Sequence, residues 1–285
     1  MKVLVTGSNG QLGTELRQLA KQSKDSFLFT DAVSLDITDK AAVENFFAES
    51  MPDIVINCAA YTNVENAEDN YSAADKVNHL AVGYLSDACS RIGAFLVHVS
   101  TDYVFDGKHY TPYGEDAPTV PLGVYGRTKL DGEHAAMASG CRYLILRTAW
   151  LYSPYGKNFV KTIYRLSDER DSLNVVFDQI GTPTYAADLA AAIMHIITNR
   201  MFDEQGIFHF SNEGVCSWYD LAVAINELSG HSCRILPCHS DEFPSKVARP
   251  HYSVLDKTRF KETFGMKIPH WHDGLKRCMK VIEGK

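Results

Sequence analysis

The feature that most constrains the fold is a glycine-rich turn directly after the first apolar segment. Lys2–Thr6 is a short run rich in β-branched residues, and Gly7, Gly10 and Gly13 follow it with the spacing G-x-x-G-x-x-G. A helical pattern then opens near Gln11. Such a turn brings the backbone close to a dinucleotide pyrophosphate at a helix N-terminus. The usual fingerprint has one residue between its first two glycines, so this is a variant, and a tight turn without a ligand is the alternative.

Apolar segments alternate with helical patterns along the first half of the chain. Strands are predicted at residues 2–6, 27–30, 53–57, 95–99 and 143–147, and helices from Gln11, from near Thr38, at 73–92 and from Val124. Continuous apolar strands separated by helices predict a parallel sheet covered on both faces, which is an α/β, Rossmann-like doubly wound fold. We expect residues 1–148 to form a dinucleotide-binding domain. Residues 149–285 would form mainly a smaller α/β C-terminal lobe that binds substrate, with a helix near 185–199 returning to the sheet.

Three side chains suited to proton transfer follow the predicted fourth strand. Thr101 lies where that strand ends, and Tyr125 and Lys129 are four residues apart. If Val124–Ala138 is a helix, Tyr125 and Lys129 share one face, one turn apart. A free phenol has a pKa near ~10, and a neighbouring ammonium favours its ionised form, so Lys129 would make Tyr125 a usable acid or base. Thr101 would hydrogen-bond the reacting oxygen. For this pattern alone, the alternative is a half-buried tyrosine beside a solvated lysine.

The predicted topology brings four features to one edge of the sheet. In open α/β sheets ligands bind outside the carboxyl ends of the strands, where Gly7, Asp31, Ala59 and Thr101 all fall. Asp31 closes the second predicted strand and is placed to accept a hydrogen bond from an adenosine ribose hydroxyl, which favours NADH over NADPH only weakly. The small residues around Ala59 would let a cofactor pass close to the backbone, or would only ease helix packing.

Composition narrows the kinds of partner and compartment. The formal net charge is −7, and no run of lysine or arginine forms a basic patch, which argues against nucleic acid and favours small-molecule partners. No stretch approaches the roughly 18 apolar residues that span a bilayer. The seven scattered cysteines, without a Cys-x-x-Cys pair, are typical of reduced thiols, so we expect a cytoplasmic protein with no membrane partner. His231, Cys233, Cys238 and His239 lack the spacing of a zinc site.

The glycine turn, Thr101 and the Tyr125-x-x-x-Lys129 pair together resemble the extended short-chain dehydrogenase/reductase superfamily. Five further blocks narrow the resemblance to the dTDP-4-dehydrorhamnose reductase family: Cys58-Ala59-Ala60-Tyr61-Thr62-Asn63-Val64-Glu65, Ser100-Thr101-Asp102-Tyr103-Val104-Phe105-Asp106-Gly107, Arg147-Thr148-Ala149-Trp150, Asp178-Gln179-x-Gly181-x-Pro183-Thr184 and Arg249-Pro250. Each block is a moderate signal by itself, but their order and spacing cover essentially the whole chain.

The resemblance implies a reductase that uses NADPH or NADH. Its substrate would be dTDP-4-dehydro-6-deoxy-L-mannose, a nucleotide sugar whose C4 ketone is reduced to give dTDP-L-rhamnose for surface polysaccharide synthesis. Tyr125 would protonate the C4 oxygen, Lys129 would lower the pKa of Tyr125 and hold the nicotinamide ribose, and Thr101 would orient the oxygen.

The same resemblance implies which residues bind the cofactor and which bind the substrate. The cofactor would lie against Gly7, Asn9, Gly10, Gln11, Leu12, Gly13, Asp31, Asp36, Ile37, Ala59, Ala60, Tyr61, Tyr125 and Lys129. The sugar would touch Val64, Glu65, Thr101, Asp102, Tyr103 and Trp150, and Arg249 would approach the diphosphate. A core aromatic at the lobe boundary is the alternative for Trp150, and an ordinary surface arginine is the alternative for Arg249.

Departures from related families leave alternatives open. Nucleotide-sugar 4,6-dehydratases carry Asp-Glu after the threonine, whereas Tyr103 follows Thr101-Asp102 here, so the glutamate for elimination is missing. A reductase or epimerase of another nucleotide sugar, and a non-catalytic regulatory subunit of the same family, remain as alternatives. Some members form homodimers bridged by magnesium through carboxylates, which makes a homodimer a candidate assembly. Glu15 matches one ligand position but Asp188 does not clearly match another, so we predict no metal.

Overall fold

The computed structural model describes residues 1–243 and 245–284 of the chain. Its strands are β1 (Lys2–Thr6), β2 (Ser26–Phe29), β3 (Ile54–Asn57), β4 (Phe95–Thr101), β5 (Arg142–Thr148), β6 (Leu151–Tyr152), β7 (Ser172–Val176), β8 (Ile180–Gly181), β9 (Thr184–Tyr185), β10 (Gly206–His209), β11 (Cys216–Ser217) and β12 (Arg234–Cys238). Its α-helices are α1 (Gln11–Ala20), α2 (Lys40–Ser50), α3 (Val64–Asp69), α4 (Tyr71–Asp75), α5 (Ala81–Ile92), α6 (Val124–Ala138), α7 (Phe159–Glu169), α8 (Ala186–Thr198), α9 (Trp218–Ser229), α10 (Thr258–Phe264) and α11 (Trp271–Ile282).

The central sheet has six parallel strands in the order β10-β5-β4-β3-β1-β2. The predicted α/β fold with a doubly wound parallel sheet is confirmed. The chain steps from β1 outward to β2 on one side and then to β3 on the other, so the strand order reverses beside β1. A crevice opens outside the carboxyl ends of the strands at such a reversal, and ligands bind there.

The alternating side chains of the strands bury both faces of this sheet. Val3 and Val5 pack on the face covered by α1 and α8, and Leu4 packs on the opposite face with α2 and α5. Each fully buried side chain of this size contributes about 1.5–3 kcal/mol of hydrophobic stabilisation. Helix α8 packs against α1 in the core on this face of the sheet.

The smaller lobe is built from short two-stranded sheets and three helices. β7 pairs with β12, β6 with β9 and β8 with β11, and α7, α9 and α11 cover them around a separate apolar cluster. Helix α9 begins after Ser217, which caps its N-terminus, and is followed by Gly230 in the left-handed conformation. Within the part of the chain that the structure describes, no helix is both long and apolar enough to cross a membrane.

Two features differ from the sequence prediction. The sheet takes its sixth strand, β10, from beyond residue 148, and α10 packs on the same core, so the chain returns to the larger domain after entering the smaller lobe. The helix predicted at 73–92 is interrupted by a π-helical turn at Lys76–Leu80. This wider turn contains the buried Asn78, whose side chain bonds the backbone N–H and C=O of Tyr61 at 2.8 and 3.1 Å.

Candidate active site

The end of β4 places Thr101 at the carboxyl edge of the sheet. Its hydroxyl accepts a hydrogen bond from the Tyr103 backbone N–H at 3.2 Å and donates to Asp102 Oδ1 at 3.0 Å. The Tyr103 N–H is thereby bonded at the start of a 3₁₀ turn, Asp102–Val104, and not to a neighbouring strand, so β4 ends here. Thr101 is thereby held at the wall of the crevice.

Helix α6 presents three polar residues to the sheet at intervals of one turn. Tyr125, Lys129 and Glu133 share one face, which confirms the predicted bounds of this helix and the alignment of its first two polar residues. A Cβ added to Gly126 would lie 2.2 Å from the Tyr103 carbonyl oxygen. The glycine therefore lets the start of α6 approach the end of β4 more closely than any other residue would allow.

Lys129 is buried, and its ammonium is directed towards β4. Its Nζ donates to the Val99 carbonyl oxygen at 2.7 Å and lies 3.5 Å from His98 Nε2. Burial lowers the pKa of Lys129 to about 8, while the charges of Glu133 and Cys58 act in the opposite direction. Burial also lowers the pKa of His98 well below its usual value, with the Lys129 charge as the second cause, so this imidazole is neutral at neutral pH.

The phenol of Tyr125 is more firmly protonated than the sequence suggested. Burial raises the pKa of Tyr125 above its usual range, a hydrogen bond with Thr101 opposes this, and the Asp102 charge adds to it. Lys129 is not among the groups that set this pKa, in contrast to the expectation that it would lower it. The Lys129 ammonium is instead hydrogen-bonded to the Val99 carbonyl oxygen of β4, at 2.7 Å.

Asp102 lies between these groups and has an unpaired oxygen. The residue is 2% exposed, and its Oδ2 has no hydrogen-bond partner among the described residues. Burial raises the pKa of Asp102 to about 6, against the hydrogen bonds from Ser253 and Thr101. A buried carboxylate with an unpaired oxygen is costly, so this atom is suited to bind a polar group of a ligand.

The glycine turn fits a dinucleotide pyrophosphate. Gly7 has φ +62°, and a Cβ there would lie 2.6 Å from the Ala59 nitrogen. A Cβ on Gly13 would lie 2.5 Å from Ser8 Cα, so glycine keeps the first turn of α1 close to β1. No side chain caps α1 after Gly10. Its first N–H groups therefore face the crevice and can bind phosphate oxygens, which is the donor set that a pyrophosphate requires.

Asp31 lies at the far end of the same crevice. Its carboxylate accepts hydrogen bonds from Asn9 Nδ2 at 2.7 Å and from the backbone and side chain of Ser34. The Ser34 bonds are the main cause that holds the pKa of Asp31 below its usual value. The carboxylate is therefore negative at neutral pH and oriented by its neighbours.

A single cavity of about 830 Å³ joins these parts, a volume typical of small-molecule sites. The predicted residues that line it are Gly7, Asn9, Gly10, Gln11, Leu12, Gly13, Asp31, Asp36, Ile37, Ala59, Ala60, Val64, Thr101, Asp102, Tyr103, Tyr125, Lys129, Trp150 and Arg249.

Two predicted residues do not line this cavity. The Tyr61 backbone is bonded to Asn78, as described above. Glu65 is paired with Arg249 at 3.1 Å and accepts from Ser245 Oγ at 2.7 Å. In this structure, therefore, Glu65 and Arg249, both predicted to contact the substrate, contact each other.

Several residues that line or support the cavity were not predicted. Trp218 and Phe159 line it from the smaller lobe, and Asn158 caps α7 while donating to Gln11 Oε1 at 2.8 Å. His98 lies behind Lys129 on β4. The polar loop before α7 was a usable signal for Asn158, whereas a histidine within an apolar strand gave none for His98.

The carboxylates considered for a metal, Glu15 and Asp188, lie close to each other, and Asp188 is paired with a cation. Asp188 accepts from Arg277 Nη2 at 2.6 and 2.8 Å. Burial, and secondly the Asp188 charge, raise the pKa of Glu15 to about 7. The Arg277 guanidinium is bound to Asp188 alone, and Glu15 Oε1 has no hydrogen-bond partner among the described residues, so the absence of a metal here stays a prediction.

His231 and His239 also face different partners. His231 Nδ1 lies 2.9 Å from Ser167 Oγ, and His239 Nδ1 lies 3.7 Å from Asp178. The cysteines beside them are free thiols.

Known proteins share both the sequence and the fold of this chain. The model of a family described as the RmlD substrate binding domain matches residues 1–283. A spore coat polysaccharide biosynthesis protein, SpsK, of Bacillus subtilis is 40% identical over 98% of this chain and 97% of its own length.

Two solved structures extend the likeness to the whole fold. A dTDP-4-dehydrorhamnose reductase of Clostridium acetobutylicum has a TM-score of 0.96 at 42% identity, covering 99% of this chain and 100% of that one. A dTDP-4-dehydrorhamnose reductase of Bacillus anthracis in complex with NADP has a TM-score of 0.92 at 37% identity, covering 98% and 99% of the two chains. The chain therefore belongs to the RmlD substrate binding domain family, the family of the dTDP-4-dehydrorhamnose reductases.

Proposed function

We propose that this chain reduces the C4 ketone of dTDP-4-dehydro-6-deoxy-L-mannose to give dTDP-L-rhamnose, with NADPH or NADH as reductant. The observation that carries the proposal is the meeting of Thr101, Tyr125 and Lys129 with the glycine turn at one cavity. A hydroxyl, a protonated phenol and a lysine beside a dinucleotide site form the set of groups that carbonyl reduction requires.

Tyr125 is the proton donor. When bound, the reduced nicotinamide supplies the hydride that reaches C4. The Tyr125 hydroxyl gives its proton to the C4 oxygen as the carbonyl bond becomes a C–O single bond, and the Thr101 hydroxyl hydrogen-bonds the same oxygen. The phenol is protonated at neutral pH at the start of each turnover, and the C4 oxygen becomes a stronger base than a phenolate as the hydride arrives, so the proton moves in this direction. Solvent then reprotonates the phenolate.

Lys129 offsets the charge that this step leaves behind. In the resting structure the Lys129 charge does not lower the pKa of Tyr125, so we propose that the ammonium, which lies one turn away on the same helix face, approaches the phenolate once it forms. With a pKa of about 8, Lys129 is still mainly charged at pH 7. It would also hold the nicotinamide ribose, so its roles in binding and in catalysis are joined.

The substrate half of the cavity is the part lined by Val64, Asp102, Tyr103, Trp150 and Arg249. The unpaired Oδ2 of Asp102 would accept a hydrogen bond from a sugar hydroxyl. Arg249 would exchange its bond with Glu65 for the substrate diphosphate, because two phosphate charges attract a guanidinium more strongly than one partly exposed carboxylate. No acidic side chain stands at Tyr103 to support an elimination, which favours simple reduction. We also propose that the reaction takes place in the cytoplasm, which a nucleotide-sugar substrate and a nicotinamide cofactor support.

Coupled turnover tests the proposal. The purified chain is mixed with the 4-keto sugar nucleotide and either NADPH or NADH, and the absorbance of the reduced cofactor is followed while the product is identified as dTDP-L-rhamnose. We expect oxidation with at least one cofactor. No oxidation with either, or a faster reaction with another keto sugar nucleotide, would contradict the assignment.

Two variants test the role of Tyr125. Tyr125→Phe removes only the hydroxyl, and we expect kcat to fall about 10²–10⁴-fold, the usual contribution of a general acid, with nucleotide binding retained. Tyr71→Phe, an exposed residue of α4, is the matched control and should turn over like the wild type. Equal activity of the two variants would remove Tyr125 from the mechanism.

A further inference from the structure

Trp150 lies where the chain leaves β5 and enters the smaller lobe, and its backbone is unusual. Its φ is +48°, in the left-handed region that disfavours a residue with a bulky side chain. Met51 and Arg200 are the other non-glycine residues with positive φ among the described residues, and neither lines the cavity. A strained residue of this kind persists only where its surroundings over-determine it. The surroundings of Trp150 therefore indicate what its position serves.

One face of the Trp150 indole is covered by Trp218. The ring centroids are 3.5 Å apart and the planes differ by 8°, so the two indoles stack almost in parallel. Trp218 is itself supported by Phe159, whose ring centroid lies 4.6 Å away. The first wall is thus formed by two aromatic rings, which are rigid and bury a large area.

The other face of the Trp150 indole is covered by Gly181. A Cβ on this glycine would lie 2.6 Å from Cε2 of Trp150, 2.7 Å from Cζ2 and 2.9 Å from Nε1. Cε2 is bonded to both other atoms and is the nearest of the three, which places the added carbon over the plane of the ring. Because Trp218 already occupies one side, Gly181 must lie on the opposite side. Its own φ is outside the left-handed region, so the indole, and not the backbone, requires a glycine here.

A short β-ladder sets the distance between Trp218, on one face of the Trp150 indole, and Gly181, on the other. β8 and β11 pair so that Cys216 is opposite Gly181, and α9 begins with Trp218 directly after β11. The Trp150 carbonyl oxygen accepts from the Thr184 N–H at 3.2 Å, which fixes the backbone between them. The distance between Trp218 and Gly181 is therefore determined by backbone hydrogen bonds.

With both faces covered, the edge of the Trp150 indole is what remains to line the cavity. Among the described residues, none accepts a hydrogen bond from its Nε1–H. We propose that Trp218 and Gly181 are positioning residues, which hold the Trp150 indole edge-on to the substrate cavity and thereby determine the affinity for the nucleotide sugar. This inference rests on the proposed function, since the ligand of that edge is the sugar nucleotide, whose oxygens can accept from an indole N–H.

Gly181→Ala tests the inference with one added carbon. The methyl group overlaps the indole of Trp150. Trp218 prevents the indole from moving straight away from the methyl group, so the indole must turn out of its position. We expect the KM for the keto sugar nucleotide to rise about tenfold, with kcat and the KM for the reduced cofactor changed less than about threefold. Gly114→Ala is the matched control, because a Cβ there meets nothing within 4 Å and its φ is also outside the left-handed region. It should behave like the wild type.

The stacked indoles provide a readout that is independent of activity. Two stacked indoles couple their transitions, and they give an exciton couplet in the far-ultraviolet circular dichroism spectrum when their transition dipoles are rotated relative to each other within the stacked planes. We expect the couplet to be lost in Gly181→Ala and Trp218→Leu but retained in Gly114→Ala. Trp218→Phe loses the couplet but keeps an aromatic wall, so its KM should lie closer to that of the wild type than the KM of Trp218→Leu. An unchanged couplet in Gly181→Ala, or a lost couplet with unchanged KM, would overturn the proposal.

Failure of the proposed function gives a different result from failure of this inference. If the wild type does not oxidise either cofactor with the keto sugar, the proposed function fails, and binding of dTDP-L-rhamnose followed by tryptophan fluorescence replaces KM. Weaker binding by Gly181→Ala than by Gly114→Ala then supports the positioning role. Equal affinity of the two variants, or no binding by the wild type, overturns it.

Discussion

The close approach of α6 to the end of β4 predicts that a single methyl group at Gly126 will disable the site. A Cβ at this position would lie 2.2 Å from the Tyr103 carbonyl oxygen. Carbon and oxygen in contact are normally about 3.3 Å apart, so Gly126→Ala must move the start of the helix by roughly 1 Å. Tyr125 is the preceding residue and moves with it, away from Thr101.

The size of the effect follows from that displacement. A misplacement of about 1 Å in a catalytic group can cost about 10²-fold in rate, or roughly 2.7 kcal/mol in the activation barrier. Overpacking should also lower the free energy of unfolding by about 1–3 kcal/mol, partly offset by the better helix propensity of alanine. We expect kcat/KM to fall about 10²-fold at a temperature where the variant is still folded.

Gly83→Ala is the control for this prediction. Gly83 lies in α5, and a Cβ there would lie 3.7 Å from the Ala135 Cβ, an ordinary contact. It should gain about 0.5–1 kcal/mol of stability from helix propensity and keep its activity. Coupled turnover and urea denaturation measure both quantities. Wild-type turnover in Gly126→Ala would refute the argument that glycine is needed for the approach of α6 to β4.

Three further predictions concern charged residues. The pKa of Lys129 falls from 10.5 to about 8 on folding, so its contribution to stability should rise between pH 8 and 10.5, where the unfolded chain keeps the proton and the folded chain loses it. Buried thiols and phenols act in the opposite direction in both proteins, so urea denaturation should show the difference in unfolding free energy between wild type and Lys129→Met moving in favour of the wild type over this range. Arg147→Met leaves the buried Glu133 carboxylate without its guanidinium partner at 2.7 Å and should cost about 3–5 kcal/mol in unfolding free energy, whereas adding Glu133→Gln should recover part of that loss. Asp31→Asn removes a negative charge at the predicted ribose site, and we expect the KM for NADPH to fall relative to that for NADH; an unchanged ratio in steady-state assays would show that Asp31 does not discriminate the cofactors.

Local patterns predicted much of the fold and of the site. The bounds of α6 and α8 were predictable because their apolar spacing and their ends are written in neighbouring residues. Thr101, Tyr125 and the glycine turn could be assigned to one crevice because the carboxyl ends of parallel strands meet at one edge of a sheet. Only the strand–helix alternation was needed for this step.

Other elements depend on partners far away in the chain. β10 has four residues and becomes a strand because β5 offers it an open edge. The π-helical turn around Asn78 depends on the backbone of Tyr61, which the buried amide must bond. Neither partner can be inferred from the few residues on either side, so the sequence patterns did not indicate them.

The amino-acid sequence by itself therefore determined the α/β architecture, the glycine turn and the positions of the hydroxyl, phenol and ammonium proposed for catalysis, because each depends on residues close together in the chain. The tertiary structure alone decided the state of those groups. Burial, which depends on the whole fold, raises the pKa of Tyr125 and lowers that of Lys129. The tertiary structure also decided that Trp218 and Gly181 enclose Trp150, since stacking and steric exclusion act only after distant segments have packed together.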